Sequence, residues 1–257
     1  MKKIMISTLV ASSLALAGGD IAPVEPVVET PAVEEANPWR NEVTIYGWLP
    51  SISANTPLPD SGDSVDAEDI IDKLKMVFMG GYSGRNDTWS MFADVIYMDI
   101  GDSKDHTFAN GDNAHVSIDM KTLLVHAGVG YNLVDTGDGI LDVVGGVRYV
   151  DLETSVFTAG RILALDSDIS ASKDFTDFFV GVKGYKNINE NWYIPYEADI
   201  GTGDTDLSWQ LFAGIGYRYD WGDVKLGYRY LEFDMEDDAV VEDLSLSGAV
   251  LGVSIKF

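Results

Sequence analysis

From residue 42 to the C-terminus, apolar and polar positions alternate with a period of two. The stretch GYRYDWGDVKLGYRY, residues 216–230, shows this most plainly. Successive side chains of a strand point to opposite faces. Tyr217, Tyr219, Val224, Leu226, Tyr228 and Tyr230 therefore share one face, and Arg218, Lys225, Gly227 and Arg229 the other. Ten segments follow the same rule: 42–54, 74–86, 89–101, 116–132, 140–154, 174–186, 191–203, 206–219, 224–234 and 244–257. In 206–219, Leu207, Trp209, Leu211, Ala213, Ile215, Tyr217 and Tyr219 oppose Ser208, Gln210, Gly214, Gly216 and Arg218, with Phe212 as the exception. In the first segment both parities are apolar: Tyr46 and Trp48 on one, Val43 and Ile45 on the other.

The connections alternate as well. Long ones at 55–73, 102–115, 155–173 and 234–243 are interleaved with tight ones at 86–88, LVDTGDG, NINEN and DWGD; GTGDTD (201–206) is fairly short. An all-β, antiparallel up-and-down transmembrane β-barrel produces this rhythm, with short periplasmic turns and longer outer loops. Ten strands fit best, with eight or twelve as the neighbouring counts. Charges repeated through so many strands are costly inside a soluble sandwich. A soluble barrel of the lipocalin kind alternates too, with its apolar face inward, so parity alone does not separate inside from outside.

Aromatic placement favours the membrane reading. Tyr82, Trp89, Tyr131, Trp192, Tyr217 and Tyr219 stand beside the tight turns, and Trp48, Tyr97, Tyr149, Trp209, Tyr228 and Tyr230 beside the longer loops. Rings with an apolar body and a polar edge collect at both membrane interfaces. The tyrosine face should then meet lipid and the arginine face the lumen. Leu226→Arg should block assembly, and the same charge at Gly227 should be tolerated better.

The N-terminus supports export. Lys2 and Lys3 precede an apolar run from Ile4 to Leu16, and Ala15-Leu16-Ala17 gives a small-x-small cleavage pattern, so residues 1–17 read as a signal peptide. Residues 18–41, including PVEPVVETPAVEE, read as a disordered periplasmic tail rich in Pro and Glu. The barrel takes 42–257. There is no cysteine, which excludes disulfides, thiolate metal sites and lipoprotein anchoring. The net charge of -25 argues against nucleic acid as a partner.

The chain ends SGAVLGVSIKF, with Ala249, Leu251, Val253, Ile255 and the terminal Phe257 on one face. This resembles the last strand of Gram-negative outer-membrane β-barrel proteins. The resemblance implies a cell outer-membrane location, contact with lipid and lipopolysaccharide, and a C-terminal aromatic read by the barrel-assembly machinery. It implies no particular activity, because the class holds pores, enzymes, adhesins and anchors.

The candidate lumenal charges are Arg85, Arg148, Lys183, Arg218, Lys225 and Arg229 with Asp94, Asp142, Asp177, Glu197 and Asp199. Their near-balance suggests mutual pairing or a narrow polar conduit. The negative excess then lies in the loops and tail. Loop carboxylates at Asp63, Asp66, Asp237 and Asp238 are weak candidates for Ca²⁺ or Mg²⁺, without the spacing of an EF-hand; solvated acidic loops are the plainer reading. No cofactor is expected otherwise. Of the histidines, His106 and His115 fall in a loop and His126 on the inward face of the fourth strand. Omptin-type barrel proteases share the ten-strand count and place an Asp-His pair at the outer rim. Asp105-His106 lacks that spacing, so no enzyme is expected, a rim-active hydrolase being the outlying alternative. The expected function is a monomeric structural barrel or a narrow pore for small solutes and ions with slight cation preference. The alternative is a surface barrel whose acidic loops bind a partner or divalent cations.

Overall fold

The computed structural model describes residues 39–55, 63–65, 68, 72–107, 113–160, 167–235 and 243–257. The signal-peptide reading and nearly all of the tail lie outside the described residues, as do Asp66, Asp237 and Asp238; of Asp63 only the backbone is described. The strands are β1 (Arg40–Asn55), β2 (Asp63–Val65), β3 (Leu74–Arg85), β4 (Trp89–Thr107), β5 (Asn113–Thr136), β6 (Gly139–Gly160), β7 (Ser167–Asn187), β8 (Trp192–Gly203), β9 (Leu207–Tyr219), β10 (Gly222–Asp234) and β11 (Asp243–Lys256). β2 is a three-residue strand laid against Ile52–Ala54 of β1. The other ten form a closed, antiparallel, up-and-down transmembrane barrel in which each strand pairs with its sequence neighbours and β11 returns to β1. Closure removes the exposed edges that a sheet would otherwise carry into lipid.

The β3–β4, β5–β6, β7–β8 and β9–β10 turns and both ends of the barrel chain lie at one end, called here the turn end; the other connections, longer except for the three residues between β8 and β9, lie at the loop end. The turns are built by short polar side chains. Asn86 Oδ1 accepts from the backbone N–H groups of Thr88 (2.9 Å) and Trp89 (2.7 Å), and Asn189 Oδ1 accepts from those of Asn191 (3.0 Å) and Trp192 (2.8 Å). At the β9–β10 turn, a Cβ on Gly222 would lie 1.9 Å from the Ser254 carbonyl oxygen, so only glycine fits. β11 pairs with β1 from Glu42↔Lys256 to Asn55↔Asp243, and Asn41 and Phe257 exchange two further backbone bonds of 3.0 Å. The barrel therefore begins at Arg40, two residues before the expected boundary.

The outward face carries a continuous apolar band, giving way to exposed ion pairs such as Lys121–Glu153 in the extension at the loop end. Ile45, Phe178, Val180, Leu211, Leu226, Tyr228, Leu251 and Ile255 are all exposed there. A soluble monomer rarely leaves so continuous an apolar band in water. Two expectations about length need correction. The segments 102–115 and 155–173 are largely not loops: the β4–β5 ladder continues to Thr107↔Asn113 and the β6–β7 ladder to Thr158↔Ser167. β5 has 24 residues, more than twice the roughly 9–11 that a tilted strand needs to cross a bilayer. The β4–β7 side thus stands clear of the membrane at the loop end. His106 and His115 belong to this extension, in β4 and β5.

Candidate functional site

The inward face divides into layers, because the inward parity changes character along each strand. On β10 it runs from Asp223, Lys225 and Arg229 to Leu231 and Phe233. On β4 it runs from Asp94 to Ile96 and Met98, and on β6 from Arg148 to Val150. The lumen is polar at the turn end, ionic at mid-depth and largely apolar toward the loop end, except along β8 and β9, where Ser208, Gln210 and the Asp177–Thr205 contact are buried instead.

The turn-end part is a vestibule of about 870 Å³ whose mouth carries Trp39, Arg40 and Phe257 and whose depth reaches His126, Phe212 and Arg229. Arg85 pairs with Asp142 at 3.5 Å, and Asp142 also accepts from Ser90 Oγ (2.7 Å) and Asn132 Nδ2 (2.8 Å). Lys183 pairs with Glu197, and Lys225 with Glu42. Asp223 takes Lys256 Nζ and the Tyr193 hydroxyl, each at 2.7 Å. Arg218 lies over the Tyr185 and Tyr193 rings, 4.9 and 4.2 Å from their centroids, and donates to Asn187 Oδ1 at 2.8 Å. Room for Tyr193 comes from Gly216, where a Cβ would stand 2.4 Å from that ring.

At mid-depth Arg148 donates to Asp199 and to Ser208 Oγ (3.3 Å), and Gln210 Nε2 donates to Asp199 at 3.3 Å. Arg229 pairs with Asp94 at 3.3 Å, and the Tyr46 hydroxyl donates to the same oxygen at 2.8 Å. Asp177 has another role: it accepts from Thr205 N (3.1 Å) and Oγ1 (2.7 Å) and ties down the β8–β9 connection. Thus the eleven charges singled out from the sequence all face inward, but not all meet a charge. Glu42, Asp223 and Lys256 join them, giving seven basic and seven acidic groups. Their signals were weak: Glu42 sits on the ambiguous first strand, Asp223 in a turn and Lys256 next to the last residue.

His126 is buried against Phe179 (4.3 Å between centroids) and Phe92 (5.3 Å). Its Nδ1 is 3.8 Å from Glu197 and its Nε2 4.0 Å from Asp199. One imidazole and two carboxylates within 4.8 Å form a donor set that a transition metal accepts. The charge balance opposes this. Lys183 and Arg148 already neutralise the two carboxylates, so a divalent ion would leave two buried, uncompensated positive charges. The cluster is best described as a buried ion-pair network.

Above the ions lies an apolar layer that spans the lumen except on the β8–β9 side. Trp48, Met79, Ile96, Met98, Leu124, Val150, Phe175, Leu231, Phe233, Met235, Leu246 and Val250 form one buried cluster drawn from eight of the ten barrel strands and the residue following β10. Phe175 and Phe233 meet edge to face at 5.0 Å. Trp48 corrects the aromatic-belt expectation: at 2% exposure it points into the lumen, with Arg229 over its ring at 5.4 Å. Val43, Ile45 and Leu49 take the lipid side of β1, while Tyr46 turns its hydroxyl to Asp94. The other aromatics of both groups lie on the outward parity. They pair there as Trp89–Tyr131, Trp192–Tyr217 and Trp209–Tyr230, and Trp221, stacked on Tyr219, extends the turn-end group.

No family model matches the sequence, and no curated protein does. Solved structures with a similar trace include the outer-membrane protease OmpT from Escherichia coli (10% identity, TM-score 0.48, 86% of this chain and 98% of that chain). The translocator domain of the autotransporter NalP from Neisseria meningitidis gives 14% identity and a TM-score of 0.46, over 88% of this chain and 90% of that one. The attachment invasion locus protein Ail of Yersinia pestis gives 13% and 0.38, over 85% and 98%.

Proposed function

We propose that the chain is a structural barrel of the outer membrane, monomeric and non-enzymatic, whose lumen is closed to free diffusion. The turn end faces the periplasm and the loop end the outside. The observation that carries this reading is the apolar layer across the lumen. An ion leaving the vestibule toward the loop end would have to shed its water among Trp48, Phe175, Leu231 and Phe233. Placing an isolated charge in such surroundings costs on the order of tens of kcal/mol by Born solvation. Of the two roles expected for a small barrel, this favours the anchor over the pore, and it removes the basis for cation preference. A non-enzymatic role is supported by His126, whose carboxylate neighbours are each paired with a cation, Asp199 with Arg148 and Glu197 with Lys183 through Oε2, while Glu197 Oε1 and His126 Nε2 are buried without a hydrogen-bond partner and away from open solvent.

Planar-bilayer conductance of the mature protein tests this. Folding is first confirmed by heat-modifiable gel mobility, and currents are then recorded in salt gradients. The expected result is no steady current. Stable, cation-selective steps would reinstate the narrow pore.

A further inference from the structure

Among the described residues the barrel wall is incomplete at one seam. The other neighbouring pairs of barrel strands are joined along most of their shared length, the β8–β9 ladder skipping only Ile194 and Pro195, but β1 and β3 pair only from Arg40↔Arg85 to Ile45↔Gly80. β2 meets β1 again only at Ile52. Between these points, among the described residues, Tyr46 to Ser51 have no strand on the β3 side. Backbone groups facing hydrocarbon without partners are costly. The Trp48 N–H relieves this by donating to the Met79 thioether sulfur at 3.0 Å. The gap forms a crevice of about 190 Å³, bounded by Ile45, Trp48, Leu49, Phe78, Met79 and Met98. Ile45, Leu49 and Phe78 belong to the lipid-facing surface, whereas Trp48, Met79 and Met98 belong to the buried apolar layer. The crevice therefore leads from the bilayer into the sealed part of the lumen.

We propose that this crevice holds a single acyl chain of a bilayer lipid from the loop-end leaflet. Depth fits. Gly47 stands opposite Leu251, which stands opposite Leu226, in the middle of the outward apolar band. The leaflet follows from the gap lying on the loop side of the Ile45↔Gly80 pair. The chemistry fits as well. Among the described residues no charged side chain lines the crevice, and the hydroxyl of Tyr46, the one polar side-chain group there besides the Trp48 indole, is already given to Asp94. A charged headgroup finds no counter-ion there and at most the unpartnered Trp48 indole N–H as a donor, whereas a methylene chain continues the apolar surface.

Trp48 supplies the reporter. Replacing Trp39, Trp89, Trp192, Trp209 and Trp221 with Phe leaves it as the sole indole. Two references are built in a background with all six replaced: Leu251→Trp, outward on the adjacent strand, and Phe233→Trp, inward and away from the crevice. Each protein is reconstituted in vesicles of phosphatidylcholine with or without bromines at mid-chain, which quench an indole on contact. Trp48 is expected to lose emission nearly as fully as Leu251→Trp and far more than Phe233→Trp. Filling the crevice with Val77→Phe, or Leu74→Phe if that variant does not fold, should return Trp48 to the Phe233→Trp level. The proposal is overturned if Trp48 matches Phe233→Trp from the start, which would mean that the chain itself closes the seam. It is also overturned if the filling substitution changes nothing, or if Trp48 responds only to a free brominated fatty acid added to unbrominated vesicles.

Discussion

At the residue scale, the facing of each side chain follows from what its polar atoms can reach. Tyr228 and Leu226 lie in the outward band, while Lys225 and Arg229 on the same strand point in, to Glu42 and Asp94. Leu226→Arg should therefore destabilise the assembled barrel by roughly 2–4 kcal/mol, the cost of a cation on the lipid face near mid-membrane. Urea titration of protein folded into vesicles measures it. Gly227 is not the right inward comparison, although the alternation suggests it. A Cβ there would lie 2.8 Å from the Ala213 carbonyl oxygen and 2.6 Å from the Phe212 ring, so a larger residue fails sterically whatever its charge. Ser83 lines the open vestibule instead, and Ser83→Arg should change stability far less than Leu226→Arg. Equal losses would contradict the assignment of faces. Alternation told which residues share a face, but not how much room an inward position has, because that depends on strands distant in sequence.

At the element scale, all ten barrel strands were legible, and so was the difference between tight and long connections. Strand ends were less so. The ladder beyond Gly101 and Met120 carries mixed polar sequence such as DSKDHT, in which nothing distinguishes a paired, solvated strand from a loop. Pairing there comes from the hairpin geometry of neighbours already in register. Such an extension is dispensable to a barrel whose membrane portion is complete. Joining Ser103 to Ser117 by a tight turn should leave assembly and heat-modifiable mobility unchanged. Loss of the folded band would show that the extension is part of the folding unit. The first strand is the other case. Its two apolar parities left its facing open, and both are used: one by lipid, the other by the apolar layer and the Tyr46–Asp94 contact.

At the scale of the whole molecule, the layering of the lumen is the property that sequence reading missed. Attention to charged inward positions reveals the ion-pair network but not what lies above it. The sign of the apolar layer was present where both parities of a strand become apolar together, as at Val95-Ile96-Tyr97-Met98 and Leu123-Leu124-Val125. Its meaning required the closed barrel, which brings Ile96, Leu124, Phe175 and Phe233 into one cluster. On the proposed reading, the polar vestibule communicates with the turn side alone. The chain has no cysteine, so one introduced thiol reports without background. The direct measurement places Ser83→Cys in outer-membrane vesicles with the loop end outward and adds a membrane-impermeant maleimide before and after the vesicles are opened. The account predicts no labelling of intact vesicles and ready labelling once the turn side is reached. Labelling at the same rate in intact vesicles would mean that the lumen is open from the loop end, and the barrel would have to be read as a pore.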